Sequence, residues 1–431
     1  MATRETARNE YQARGELGDR NLKFCNLEIL VMRITPTKPQ QFCLLFPNIF
    51  NFQGGIQTYS KFLLQTLQNL YPQATYQIFL KYDSQPSTHQ FLAKTQFHCF
   101  GKLPRWLQSI LLTIKIILLG IWQKPTLVIT THLNYSIPCY WLKRLTGIPY
   151  WVVVHGEEAW QLQNLLLQTA LHQADKIIAV SNYTKQRLFT EQQLNPAKIS
   201  ILPNTFNANR FQIAPKPNYL LQRYGLNSQQ PIILTVSRLG KTSAPHKGYY
   251  QILQALVKIR SHLPNVHYLL AGKGDERPQI ESLITQLNLE KNVTLTGFIP
   301  DEELCDHYNL CDVFALPSCI EGFGIVYLEA LACGKPVLAG NQDGAVDPLD
   351  GGRLGCLVDP KDTEAIADNL QQILQGTYPN PLLFQPEVLR QATIAKFEQT
   401  QFRKTLARLI GEPNHSRDVP TERLYNYLRS H

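Results

Sequence analysis

The 431-residue sequence predicts an α/β fold of two doubly wound domains, and three observations carry that expectation. Short apolar runs alternate with helical patterns from Gln41 onward, the mark of parallel strands joined by crossover helices. A stretch with Pro203, Pro215, Pro217 and Gly225 interrupts the series near its middle. The length exceeds what one ordinary core supports, so each half should bury its own.

Residues 1–39 read as a disordered extension or an unused upstream start, because 1–23 are polar and charged and the only other methionine is Met32. Residues 40–205 read as the first domain. It opens on the strand Gln41-Phe-Cys-Leu-Leu-Phe-Pro47, and Asn51 to Ser60 then turns into a helix through Gly54-Gly55. A glycine turn there can hold a phosphate, and it can equally be a plain tight turn. Further strands are expected at 75–82, 94–100, 125–131, 150–155, 175–180 and 198–202, with the clearest helices at 104–122, 157–173 and 182–193. Arg105 to Trp122 is the most apolar helix. It is short for a membrane span and carries Lys115, so it reads first as a helix packed on the sheet and second as a membrane-surface element. The strand Tyr150-Trp-Val-Val-Val ends at His155, where open α/β sheets bind ligands, although a lone histidine there often serves structure alone.

Residues 206–230 read as a linker and 231–380 as a second domain, with strands at 231–238, 266–271, 293–296, 313–316, 336–339 and 356–358. Gly272-Lys-Gly274 follows a strand, but Arg277 stands where a dinucleotide site needs its third glycine. Helices are expected at 248–262 and 362–375. A last helix near 388–410, within a 381–411 segment, carries Phe397, Phe402, Leu406 and Leu409 at helical spacing, and 412–431 reads as a loose tail. Everything centres on Glu321-Gly-Phe-Gly-Ile-Val-Tyr-Leu-Glu329, at the passage from a buried strand into a helix. One carboxylate sits at the turn and one about two helical turns in, while Gly322 and Gly324 let a ligand approach backbone N–H groups at the positive end of the helix dipole.

Charge narrows the function. The net charge is +9, with 23 Lys/Arg against 10 Asp/Glu in residues 1–230, and Asp83 is the only acid from Ile29 to Gly156. A half this basic implies an anionic partner: a phosphorylated substrate, an acidic membrane surface or nucleic acid. Strand–helix alternation without a basic, aromatic-interleaved helix argues against nucleic acid. The nine cysteines form no C-x-x-C pair, which suits buried thiols better than a zinc site or disulfide framework.

Several motifs then fall in one order: Ser237-Arg-Leu239, Lys247-Gly248, Ala271-Gly-Lys-Gly274, Thr296-Gly-Phe298, Cys311-Asp-Val313, Leu316-Pro-Ser318, Glu321-Gly-Phe-Gly324, Glu329-Ala330 and Gly334-Lys-Pro-Val337. With the Gly-Gly loop and His155-Gly-Glu, they resemble the retaining glycosyltransferases of family 4. The resemblance runs from about Gln41 to Leu409. It implies the GT-B fold, two Rossmann-like domains facing across a cleft, with the C-terminal helix crossing back to the first domain. It implies that Arg238 and Lys247 grip the diphosphate of a UDP- or GDP-linked hexose, with no metal or other cofactor. Glu321 would hold sugar hydroxyls, the N–H groups of Gly322, Phe323, Gly324 and Ile325 would line sugar and phosphate, and Glu329 would bind the ribose. Phe298 would meet the base, Gly55 the phosphate or acceptor, and His155 the donor sugar. Chemistry agrees: a departing diphosphate gathers negative charge, which fixed cations and a helix N-terminus stabilise. The sequence has no Asp-x-Asp pair for a divalent ion, which fits metal independence, and no evident nucleophile for a double displacement; the resemblance implies a front-face reaction instead.

The expected activity is hexose transfer to a hydroxyl of a glycan or lipid-linked acceptor, by a protein located in the cytoplasm or peripheral on the cytoplasmic membrane face. Binding to anionic vesicles at low salt and release at high salt is expected. The alternatives are a GT-B epimerase or phosphorylase, or a non-catalytic glycan-binding relative.

Overall fold

The computed structural model describes residues 40–50, 54–87, 91–240 and 246–411, so the expectations for residues 1–39 and 412–431 lie outside the described residues. The first sheet comprises β1 (Gln41–Phe46), β2 (Thr75–Leu80), β3 (Thr95–Cys99), β4 (Leu127–Thr130), β5 (Tyr150–Val154), β6 (Lys176–Ala179) and β7 (Ile199–Ile201). Its strands are parallel, in the order β3-β2-β1-β4-β5-β6-β7. Around it lie α1 (Gly55–Leu70), α2 (Arg105–Gln123), α3 (Ser136–Thr146), α4 (Leu165–Gln173) and α5 (Asn182–Gln192).

The short α6 (Asn218–Tyr224) leads into the second sheet: β8 (Ile232–Val236), β9 (His267–Ala271), β10 (Val293–Gly297), β11 (Val313–Leu316), β12 (Val337–Gly340) and β13 (Cys356–Val358). It is also parallel, in the order β10-β9-β8-β11-β12-β13. Its helices are α7 (Tyr249–His262), α8 (Arg277–Gln286), α9 (Leu304–Leu310), α10 (Ile325–Ala332) and α11 (Thr363–Gln375), followed by α12 (Pro386–Phe397) and α13 (Gln399–Gly411). This is the GT-B architecture. Central strands such as Tyr150-Trp-Val-Val-Val are buried along their length because helices cover both faces, which is why they read as unbroken apolar runs. Strand order reverses beside β1/β4 and beside β8/β11, and crevices for ligands open beyond the carboxyl ends at such points.

Two expectations need correction. The supposed linker is bound to the second domain: α6 presents Arg223 to Glu303 at 2.6 and 2.9 Å, and Lys216 pairs with Asp312 at 2.8 Å. The last helix is two helices, broken at Glu398 (φ −67°, ψ 161°), which bridges in parallel to Phe206. Up to Phe397 the segment stays with the second domain. Phe397 meets Phe323 edge-on at 5.8 Å, and Arg390 donates to the carbonyl oxygens of Ala208, Phe211 and Ala332. Only α13 crosses back, laying Phe402 against Tyr59 of α1 at 5.5 Å and placing the Leu409 carbonyl 2.9 Å from the Lys176 ammonium. The apolar positions on either side of Glu398 face different domains, which one straight helix cannot serve.

The expectation for α2 also changes. Gln108, Leu112, Ile116 and Gly120 are buried, but these form only one stripe of a largely exposed helix.

Candidate active site

Local chemistry positions the central turn. β11 runs into Pro317-Ser318, the chain bends, and α10 starts at Gly324, whose φ of +82° favours glycine. The Glu321 N–H donates to Asp343 Oδ2 at 2.7 Å, and the Gly344 N–H donates to the Glu321 carbonyl at 2.7 Å. Asp343 is fully buried and also caps the turn at Gly344–Val346 by accepting from the Ala345 N–H. Its carboxyl is pushed up to about 7, by burial first and then by the charge of Glu321. The Glu321 side chain forms an ion pair with the Lys247 ammonium, and both groups are mostly shielded from solvent. No acceptor among the described residues takes the backbone N–H groups of Gly322, Phe323 or Gly324, and no side chain caps α10. The Phe323 ring is buried towards α12, so only its backbone is available to a ligand.

The two domains touch at this turn. A Cβ placed on Gly322 would lie 1.5 Å from the His155 carbonyl oxygen, and one on Gly156 (φ +141°) would lie 2.9 Å from Gly322 Cα. Asp347 reinforces the contact across the cleft. Its Oδ1 accepts from the Asn182 N–H at 3.0 Å and from Asn182 Nδ2 at 2.6 Å, and its Oδ2 accepts from the Tyr183 N–H at 3.3 Å. The carboxylate therefore sits at the N-terminus of α5, where the helix dipole favours it.

His155 follows β5, and its N–H donates to Glu158 at 2.6 Å. The imidazole packs edge-on to Tyr59 at 5.1 Å and hydrogen-bonds the Thr131 backbone, while its Nε2 is buried without a protein partner. Burial, helped by His132, pushes it down to about 3. It is therefore neutral at physiological pH and offers a lone pair rather than a positive charge.

A pocket of about 200 Å³ lies between the domains, lined by Gly54, Gly55 and Thr58 of the first and by Arg210, Ile325 and Glu329 of the second. Among the described residues neither α1 nor α10 has a side-chain cap, so two uncapped helix N-termini face one cavity, an arrangement suited to an anion, and the Arg210 guanidinium beside them is paired with Asp301, which also lines it, at 3.4 Å. The Glu329 carboxylate accepts from the Tyr308 hydroxyl at 2.8 Å, and burial pushes it up to about 7.

The family model described as Glycosyltransferase Family 4 matches residues 54–210, and the one described as Glycosyl transferases group 1 matches residues 220–382. The chain belongs to glycosyltransferase family 4. Over 234 residues it is 34 % identical to a GDP-mannose-dependent alpha-(1-6)-phosphatidylinositol monomannoside mannosyltransferase of Mycolicibacterium smegmatis. That match covers 51 % of this chain and 59 % of the relative, so the chain spans about three-fifths of that relative's length. In fold it is similar to Anabaena HepE, solved in complex with UDP and glucose, with a TM-score of 0.70 and 19 % identity over 86 % of this chain and 99 % of that one. It is likewise similar to sucrose-phosphate synthase from Thermosynechococcus elongatus, with a TM-score of 0.71 and 21 % identity over 86 % and 98 %.

Within this family-4 chain, Gly55, Ile325 and Glu329 share the pocket, Lys247 pairs with Glu321 at the turn that leads into α10, and His155 meets Gly322. Arg238 is exposed on the loop after β8, with no ion-pair partner among the described residues. Phe298 is 61 % exposed, and the Lys273 ammonium lies 5.4 Å from its ring centre. Arg210, Asp343 and Asp347 were not anticipated. Arg210 sits in the supposed linker with no local signal. Asp343, which follows a strand end and precedes a glycine, could have been suspected from its position. The Gly272-Lys-Gly274 glycines also find a reason: a Cβ on either would lie within 2 Å of the Ser237 or Leu239 carbonyl oxygen, so they let the Arg238 loop pack closely.

The raised Glu329 carboxyl gives a pH test. If it accepts ribose hydroxyls, the ionised form binds better, so affinity is present above about pH 7 and lost below it. Nucleotide-sugar affinity, read by calorimetry, is expected to weaken roughly threefold to tenfold from about pH 8 to about pH 6. Asp343 titrates over the same range, so the decisive comparison is Glu329→Gln, which should flatten the profile. An unchanged profile in that variant would remove Glu329 from donor binding.

Proposed function

We propose that the protein is a retaining, metal-independent hexosyltransferase, moving a sugar from a nucleotide-diphosphate donor to a hydroxyl of a glycan or lipid-linked acceptor. The observation that carries this reading is the inter-domain pocket, where the α1 and α10 N-termini, Arg210 and Glu329 converge, with the Lys247–Glu321 pair held at the turn that leads into α10. In this reading the ribose lies on Glu329 and the diphosphate lies against the uncapped N–H groups. The donor phosphates draw the Lys247 ammonium towards them, with Arg238 as the second cation. Glu321, freed from that pair, holds the sugar hydroxyls, and Phe298 meets the base. Neutral His155 offers Nε2 to a hydroxyl of the sugar.

The bond between sugar and phosphate breaks as the acceptor hydroxyl attacks from the same face, and the leaving diphosphate takes the acceptor's proton. The ion-paired state of Glu321 supports an orienting role over a nucleophilic one. The fixed cations and helix ends supply the charge stabilisation for which many transferases use a divalent ion. The donor is a UDP- or GDP-linked hexose, and the name of the 34 % identical relative puts GDP-mannose first. That name also favours an acceptor held on a lipid at an anionic membrane surface, and the basic first half of the chain fits the same partner. A cytoplasmic setting, peripheral to the membrane, follows from the same reading.

A thermal-shift panel of UDP, GDP and ADP with their sugars, followed by transfer assays with and without EDTA, tests this. One nucleotide series should raise Tm by several degrees, on the order of 2–3 kcal/mol at saturating ligand, and turnover should survive EDTA. Turnover abolished by EDTA and restored by a divalent ion would end the metal-independent reading. Failure of every nucleotide to bind would end the transferase reading itself.

A further inference from the structure

The most exposed apolar feature of the described residues is the outer stripe of α2. Trp106, Ile110, Ile114, Leu118 and Trp122 recur every fourth residue, so they form one continuous stripe that winds by about 40° per step and stays within roughly half of the helix circumference. They are 70, 49, 48, 51 and 83 % exposed, and Ile121 beside them is 45 % exposed. The opposite stripe ties α2 to its domain, where Gly120 leaves room for Leu142 of α3 to lie where a Cβ would stand. By length and composition alone α2 could cross a membrane, but this anchorage holds it along the sheet. A 19-residue helix is about 28 Å long, so the stripe is an extended apolar ridge. The adjoining α3 exposes Trp141 and Leu145.

We propose that α2 lies in the plane of an anionic bilayer, with this stripe sunk among the upper acyl chains and its tryptophans at the headgroup level. Charge selects that occupant. Lys102, Arg105, Lys115, Lys124 and Arg144 are exposed around the ridge. The only acid between residues 40 and 156 is Asp83, which is buried and accepts the N–H groups of Ile49 and Phe50. The ridge is therefore apolar in the middle and basic at its margins, complementary to acyl chains beneath phosphates. A second copy of the same face would bring like charges together.

The placement also deepens the transfer reading, on which it rests only for the identity of the acceptor. A pocket of about 410 Å³ lies beyond β1, β2 and β4, lined in part by Asn48, Lys81, Tyr82, His132 and Tyr135. The Gly101 N–H donates to the Asp83 carbonyl at 2.9 Å, tying the approach to α2 to the turn that carries Lys81 and Tyr82. A membrane-bound helix would thus hold an acceptor-sized pocket at the same sheet edge as lipid headgroups.

The test uses the full chain with phosphatidylcholine vesicles, plain or containing phosphatidylglycerol, some brominated on the acyl chains. The protein should cosediment with the anionic vesicles, and acyl-chain bromines should quench its tryptophan emission. Salt should weaken binding but not release the protein as charge alone, the basis of the expectation from sequence, would do, because the apolar ridge is unscreened. Ile114→Glu combined with Leu118→Glu, both at exposed positions, should weaken binding on the order of tenfold or more, with Tm and nucleotide-sugar affinity unchanged. The proposal is overturned by no binding to anionic vesicles, by equal binding of the variant, by binding without quenching, or by a wild-type dimer that the variant dissolves. Donor affinity measured on the same samples separates the two readings: vesicle binding without donor binding would sink the transfer reading and leave this one standing.

Discussion

Lys247→Ala is expected to lower kcat by about 10²–10³-fold, the loss typical when one preorganised charge is removed from a developing anion. In the proposed reading the donor KM should change far less, because the two uncapped helix ends and Glu329 would still hold the ground state. The structure adds a complication. Lys247 is ion-paired with Glu321, so its removal leaves a shielded carboxylate without its partner. Lys247→Ala combined with Glu321→Gln separates the two effects. If Lys247 acts on the leaving group, relieving the orphaned charge will not restore kcat. Recovery of kcat in the double variant, or a loss confined to KM, would show that Lys247 merely keeps Glu321 in place.

Gly322→Ala should be damaging on a comparable scale, although it adds one methyl group and touches no ionisable side chain. Its Cβ would lie 1.5 Å from the His155 carbonyl oxygen, well inside any permitted contact, so the domains would have to separate or the turn rotate. A displacement of about 1 Å at reacting groups can reduce the rate roughly 100-fold. Here the shift falls between His155, the Glu321 turn and the α10 N–H groups at once. One apolar cluster lies within each domain, but a third runs from the first sheet through Phe206, Phe211 and Phe402 into the second, so Tm should fall as well, while the two separate clusters keep the chain folded as activity is lost. Steady-state kinetics beside a melting curve would decide. Near-normal kcat/KM in Gly322→Ala would mean that the Gly156–Gly322 contact does not belong to the working state of the enzyme.

Much of the fold was legible in the sequence because parallel strands covered on both faces are written as short, unbroken apolar runs. Val313-Phe-Ala-Leu and Tyr150-Trp-Val-Val-Val mark their strands whatever surrounds them. Motif order pointed to the family in the same local way, since Glu321-Gly-Phe-Gly and Glu329 stand within one short stretch. The break at Glu398 was not legible, because Phe397 and Phe402 keep helical spacing and only their partners, Phe323 and Tyr59, reveal that they face different domains. Asp343 and Arg210 escaped for a related reason: one acts by holding the backbone of Glu321, and the other lies in what reads as a linker.

The sequence by itself therefore determined which elements form, in what order, and which short motifs mark the family, because periodicity and turn chemistry act over a few residues. Tertiary structure decided which distant groups meet. It set Gly322 against His155, laid Asp347 on the α5 N-terminus, paired Lys247 with Glu321 and left the outer face of α2 uncovered. Each of those outcomes depends on how two surfaces pack, and neither surface records its partner in its own residues.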